Sequence, residues 1–129
     1  MRGEALYAVG TLRMAVYLGH DPDPYTVMLD NGAEINVMHS SIATKLGLVV
    51  MELNHGLMTS ANQSKSWFLG IAEDTPVFVG SFWYQVPFFV VEGQVSHDCV
   101  LGQSFKVQTL LGYQHEGDGS VTVTLKSPN

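Results

Sequence analysis

Leu12, Met14, Val16 and Leu18 alternate with polar or small residues, so the segment from Thr11 reads as a strand with one buried face. His20-Asp21-Pro22-Asp23-Pro24 follows as a turn, which predicts a hairpin with the next apolar run, Tyr25–Leu29. Further β-branched and aromatic runs recur at Ile35–Met38, Leu57–Thr59, Trp67–Ile71, Thr75–Val79, Phe82–Val91, Cys99–Leu101 and Ser120–Leu125. Gly, Pro, Asn and Asp separate them, the spacing of an all-β domain built from short strands. Two segments break this pattern. Ser40–Gly47 has a serine N-cap candidate, apolar Ile42 and Leu46, and a terminal glycine, which predicts one or two helical turns. Gln103–Leu111, with Phe105, Val107, Leu110 and Leu111 before Gly112, predicts a second short helix.

The stretch Leu57–Ile71 has apolar shoulders around a small polar centre, Ser60-Ala61-Asn62-Gln63-Ser64-Lys65-Ser66. That is a hairpin with a polar tip, either an ordinary surface hairpin or a lid over a site. The tail turns at Glu116-Gly117-Asp118-Gly119 and ends on the alternating strand Val121–Leu125. With 129 residues and no linker or repeat, the chain is expected to be one domain, residues 1–129, with its core at about 11–126.

Charge narrows the partners. Hydrophobic residues make up 46% and charged residues 14%, and the formal net charge is −6 without any Lys/Arg cluster. Phosphate backbones and anionic membranes require clustered cations, so neither nucleic acid nor membrane is an expected partner. No secretory pattern or long apolar run is present, so a cytoplasmic location is expected. The single cysteine, Cys99, rules out an intrachain disulfide and reads as a buried thiol despite His97 two positions away. The five histidines are scattered without helical i, i+4 pairing, so no metal site is expected, and no cofactor.

The chemistry concentrates in Val27-Met28-Leu29-Asp30-Asn31-Gly32-Ala33. Asp30 ends a continuous apolar run, Gly32 permits a sharp turn, and the apolar pattern resumes at Ile35, Val37 and Met38. A carboxylate between two buried segments needs a compensating partner or a task. From the residues alone two readings stay open: a turn acid accepting backbone N–H bonds, or a catalytic acid. Glu34 and Asn36, just past the turn, could contact a substrate or face solvent. Met28, Met38, Met51 and Met58 read as core filler, and Trp67, Phe68, Phe82, Trp83, Phe88 and Phe89 as core or cleft wall.

In order along the chain, four further segments accompany Met28–Met38: Lys45-Leu46-Gly47-Leu48, Thr59-Ser60-Ala61-Asn62-Gln63-Ser64, Val86–Val91 and Asp98-Cys99-Val100-Leu101-Gly102-Gln103-Ser104-Phe105. From about Leu12 to Leu125 this ordered set resembles the retropepsin family, the aspartic proteases of retroviruses and long-terminal-repeat retrotransposons, and in style a gypsy-class retrotransposon polyprotein. The resemblance implies a small closed β-barrel with a flap hairpin and one or two short helices, working as a two-fold homodimer. It assigns Asp30 as the catalytic acid and Asn31, Gly32 and Ala33 as the active-site loop. Ala61, Asn62, Gln63 and Ser64 would form the substrate-binding flap, and Leu101-Gly102 a structural motif. The sequence departs from the family at Asn31, where most members carry Thr or Ser.

Hydrolysis of a peptide bond by carboxylates needs two of them sharing one proton. This chain offers one apolar-strand Asp-x-Gly-Ala element, and Asp118-Gly119 lies in a polar hairpin instead. The second acid is therefore expected from Asp30 of a second copy across a two-fold axis. The expected activity is an aspartic endopeptidase acting on an extended peptide or polyprotein. The rival expectations are a retropepsin-like binding or assembly domain without catalysis, and an unrelated small β-barrel ligand binder.

Overall fold

The structure is a computed structural model that describes residues 11–30, 32–59, 65–95, 97–118 and 121–128. Strand β1 (Thr11–Leu18) pairs antiparallel with β2 (Tyr25–Asp30), from Thr11 opposite Asp30 to Val16 opposite Tyr25. The predicted hairpin therefore forms. β2 runs parallel to β7 (Cys99–Leu101), which pairs antiparallel with β3 (Val37–His39). β3 is parallel to β6 (Phe82–Gly93), and β6 is antiparallel to β5 (Lys65–Val79). β5 returns to β1 through Tyr17 opposite Phe78 and Leu18 opposite Val77. That last pairing closes β1-β2-β7-β3-β6-β5 into a barrel, with β4 (Met51–Thr59) outside it on β5. Closure removes the free edges that an open sheet would leave. Strands β8 (Gly112–His115) and β9 (Val121–Thr124) make a separate two-stranded sheet.

The barrel interior is filled by Leu18, Leu29, Met38, Val86, Phe88 and Leu101, all essentially inaccessible. Each such side chain contributes roughly 1.5–3 kcal/mol relative to leaving it exposed. Helix α1 (Ser40–Leu46) buries Ile42 and Ala43 on this core. Helix α2 (Gln103–Thr109) adds Phe105, whose ring meets Tyr84 edge-on at 6.1 Å between centroids. Lys45 of α1 lies 3.3 Å from Asp21 Oδ2, which also accepts the Tyr25 hydroxyl at 2.6 Å, tying the β1–β2 turn to the helix. The Tyr25 hydrogen bond, with the Asp23 N–H and Lys45 adding to it, holds the Asp21 carboxyl below its ordinary pKa. Among the described residues no helix is long and apolar enough to cross a membrane.

Several elements differ from the sequence-based expectation. Trp67–Ile71 and Thr75–Val79 belong to one 15-residue strand. Glu73 and Asp74 oppose the single residue Pro87, so the polar break in the pattern is a bulge and not a strand end. Leu57–Thr59 is only the end of the longer β4. Trp67 and Trp83 are about half exposed, as is Met51, and so are neither core nor core filler. α2 stops at Leu110, which takes the left-handed conformation at φ 50° two residues before the expected Gly112. The last carbonyl, Thr109 O, is taken by Lys126 N–H at 2.7 Å, so the chain leaves the helix there.

α1 ends as expected on left-handed Gly47 (φ 67°), but its N-cap is His39 and not a serine. His39 Nδ1 accepts the Ser41 N–H at 3.1 Å, which leaves the ring proton on Nε2, 3.2 Å from Gly93 O. One ring thus satisfies a helix N–H and a strand carbonyl. His39→Ala is expected to destabilise the fold by about 1–2 kcal/mol, read as a lower urea midpoint at an unchanged slope.

Candidate active site

Asp30 is the last residue of β2, and its neighbours along the strand set its position. Val27, Met28 and Leu29 are buried, and β2 lies between β1 and β7, so the strand has little freedom to shift. Asp30 itself is half-buried, at the point where the chain leaves the barrel. Its Oδ1 accepts the Gly32 N–H at 2.8 Å, and its main-chain oxygen accepts the Ala33 N–H at 3.3 Å. These are the turn bonds that a local reading of Asp-Asn-Gly anticipates. Among the described residues no other hydrogen bond reaches the carboxylate, which leaves Oδ2 open for proton exchange.

The N-terminal end of α2 holds the loop beyond Asp30 through three N–H groups. Gln103 N donates to Ala33 O at 2.8 Å, Ser104 N to Glu34 O at 3.0 Å, and Gly102 N to Asn36 Oδ1 at 2.9 Å. Helix-end N–H groups lack intrahelical partners, so donation to the loop satisfies both sides at once. The approach is close enough to demand glycine at 102. A Cβ there would lie 2.4 Å from Ile35 O and 2.7 Å from Ala33 O, both main-chain atoms. Leu101 is fully buried and pairs in parallel with Leu29, one residue before Asp30. Leu101-Gly102 thus fixes one end in the core and lays the other against the loop.

Of the residues singled out from sequence, Asp30, Gly32, Ala33, Leu101 and Gly102 meet in this assembly. Asn31 and the expected flap residues Ala61, Asn62, Gln63 and Ser64 lie outside the described residues. The flanking strands of that hairpin do pair, with Thr59 opposite Lys65 and Leu57 opposite Trp67. Glu34 is exposed, whereas Asn36 is 1% exposed and faces neither solvent nor an open cleft. The expectation that Asn36 contacts a substrate or faces solvent does not fit this burial; the signal for a buried role is an amide set among Ile35, Val37 and Met38, where a polar group survives only if bonded. Cys99 is buried, which together with the neighbouring Asp98 raises its thiol pKa to about 12, so it is no nucleophile. Asp98 contributes its main-chain oxygen to the His39 N–H at 2.8 Å, a structural contact.

A carboxylate at a strand end, anchored on one oxygen by a backbone N–H and, among the described residues, without a bond on the other, can take a proton from water or return one. Set in a closed barrel with a parallel β2–β7 pair and a helix clamped behind the loop, it has the organisation of a retropepsin-like fold. The chain belongs to the aspartyl protease family, whose profile matches residues 15–105. Two of the solved structures that share the fold illustrate it. One is the retroviral protease-like domain of Ddi1 from Leishmania major, 18% identical with a TM-score of 0.67 over 93% of this chain and 97% of that one. The other is a retropepsin-like aspartic protease from Rickettsia conorii, 17% identical with a TM-score of 0.55 over 90% and 81% of the respective chains. No curated protein matches the sequence significantly.

Proposed function

We propose that this chain is a homodimeric aspartic endopeptidase, with Asp30 of each protomer forming one carboxylate pair on a two-fold axis. The observation that carries the reading is the stance of Asp30: a strand-end carboxylate, half exposed, whose loop is clamped by α2 through main-chain bonds. Such clamping is what pre-organised acid–base catalysis requires. Two like charges in contact cannot both ionise, so the pair holds one proton between them. The ionised Asp30 removes a proton from water as its oxygen adds to the scissile carbonyl carbon. The protonated Asp30 donates to the carbonyl oxygen, giving a tetrahedral diol. Collapse breaks the C–N bond as the leaving nitrogen takes the proton from one Asp30 and a diol hydroxyl gives its proton to the other, which yields the acid and restores the single proton of the pair. Water and two carboxylates supply every atom and proton, so no cofactor enters. The substrate is an extended polypeptide whose main chain pairs with strand edges, and polyprotein processing is the natural task proposed.

Asn31 favours a second reading, a retropepsin-like binding or assembly domain without catalysis, because an amide replaces the usual hydroxyl beside the acid. One experiment separates the two. Sedimentation equilibrium should show a dimer, and that dimer should cleave an unfolded protein at acid pH with inhibition by a statine-type peptide. A dimer without statine-sensitive cleavage supports the assembly reading, and a chain that stays monomeric at high concentration excludes the protease.

A further inference from the structure

The buried amide of Asn36 lies six residues past Asp30 and touches neither solvent nor the carboxylate. It bridges two separate elements. Nδ2 donates to Pro87 O in β6 at 3.0 Å, and Oδ1 accepts Gly102 N–H at the start of α2 at 2.9 Å. Its main-chain oxygen accepts Phe89 N–H at 2.8 Å. Of the three bonds with which α2 holds the loop, this one alone ends on a side chain, and it alone continues to β6. Pro87 has no N–H and sits opposite the β5 bulge, so the β5–β6 ladder is irregular at the point where its carbonyl accepts the Asn36 amide.

From this geometry we infer that Asn36 is a positioning residue for the Asp30 carboxylate: its amide locks the active-site loop simultaneously to α2 and to β6. The inference rests on the endopeptidase reading above. The coupling runs from Asn36 to Gly102, from Gly102-Gln103-Ser104 to the carbonyls of Ala33 and Glu34, and from Ala33 and Gly32 to Asp30. An amide suits the place because one face must donate and the other accept. A carboxylate has acceptors only and would face Pro87 O unless protonated. A protonated carboxyl could make both bonds.

That difference supplies the test. Asn36→Asp places a buried carboxyl among uncharged main-chain groups; of the loop's own acids, Glu34 is exposed and Asp30 half-buried. Burial raises the pKa of the introduced carboxyl, so the bridging, protonated form dominates at low pH and is lost as pH rises. Relative to wild type, kcat of Asn36→Asp should stay within about threefold at pH 4 and fall by about tenfold to a hundredfold by pH 7, with KM little changed. Asn36→Ala should show the loss at every pH. A wild-type-like ratio across the range overturns the inference. So does a loss of kcat that tracks loss of the circular dichroism signal, because that is stability and not positioning.

A readout independent of turnover separates this inference from the reading beneath it. Amide exchange of Gly32, which donates to Asp30, should speed by about tenfold in Asn36→Ala together with that of Gly102. Faster exchange at Gly102 alone overturns the coupling. If the wild-type protein shows no Asp30-dependent cleavage, the endopeptidase reading fails, and the Gly32 exchange alone decides whether Asn36 positions the loop.

Discussion

Asp30→Asn is expected to lower kcat/KM for peptide cleavage by about 10⁴-fold or more while leaving the fold and the dimer intact. The size follows from symmetry. In a homodimer one substitution removes both carboxylates, so the general base and the general acid are lost together, each contributing on the order of 10²–10⁴-fold. The fold should survive because Asn is the same shape and its Oδ1 can still accept the Gly32 N–H that Asp30 Oδ1 accepts at 2.8 Å. The pair, sharing one proton, carries a single negative charge, and the substitution replaces it with neutral amides of the same shape, so the thermal midpoint should stay within about 4 °C of wild type. Initial rates on an unfolded protein substrate, with calorimetry at a fixed protomer concentration, provide the measurements. Retained cleavage in this variant would refute the assigned mechanism.

Gly102→Ala should cost about 3 kcal/mol or more, a fall of about 10 °C or more in thermal midpoint, and abolish cleavage by the protein that remains folded. The added methyl would lie 2.4 Å from Ile35 O and 2.7 Å from Ala33 O. Neither atom is the end of a flexible side chain, so relief requires moving α2 away from the loop. That movement stretches the Gln103–Ala33 and Ser104–Glu34 bonds, now 2.8 and 3.0 Å, each worth about 1 kcal/mol net. Gly102 has φ −102°, so the requirement is closeness of approach and not left-handed backbone. A Gly102→Ala protein with a wild-type midpoint would show that α2 does not clamp the loop. Urea unfolding at matched protomer concentration makes the comparison valid for a dimer.

Much of this was legible in the sequence because the signals are local. Alternation from Leu12 to Leu18 predicts β1, and Val16 and Leu18 are indeed inside. The Pro-rich turn predicts the β1–β2 hairpin, and Gly47 ends α1 in the left-handed conformation. What eluded local reading depends on partners far along the chain. Glu73-Asp74 looks like a strand break but is a bulge, because β6 continues past it at Pro87. The serines at the start of α1 look like its cap, but His39 reaches both Ser41 and Gly93, 54 residues away, and takes the role. Leu110 ends α2 because Lys126 returns to Thr109 O.

The candidate site divides in the same way. By itself the sequence determined that one acid, Asp30, ends an apolar strand before a Gly-Ala turn, and that Leu101-Gly102 follows later in a fitting order. Strand periodicity and turn chemistry act over a few residues, so they can be read without a fold. Only the tertiary structure decided that Gly102 lies against Ala33 and Ile35, that α2 clamps the Asp30 loop, and that Asn36 is a buried bridge and not a surface residue. Those contacts join positions 51 to 70 residues apart. Closing the β1–β5 seam and inserting β7 between β2 and β3 brings them together, and no local pattern encodes that arrangement.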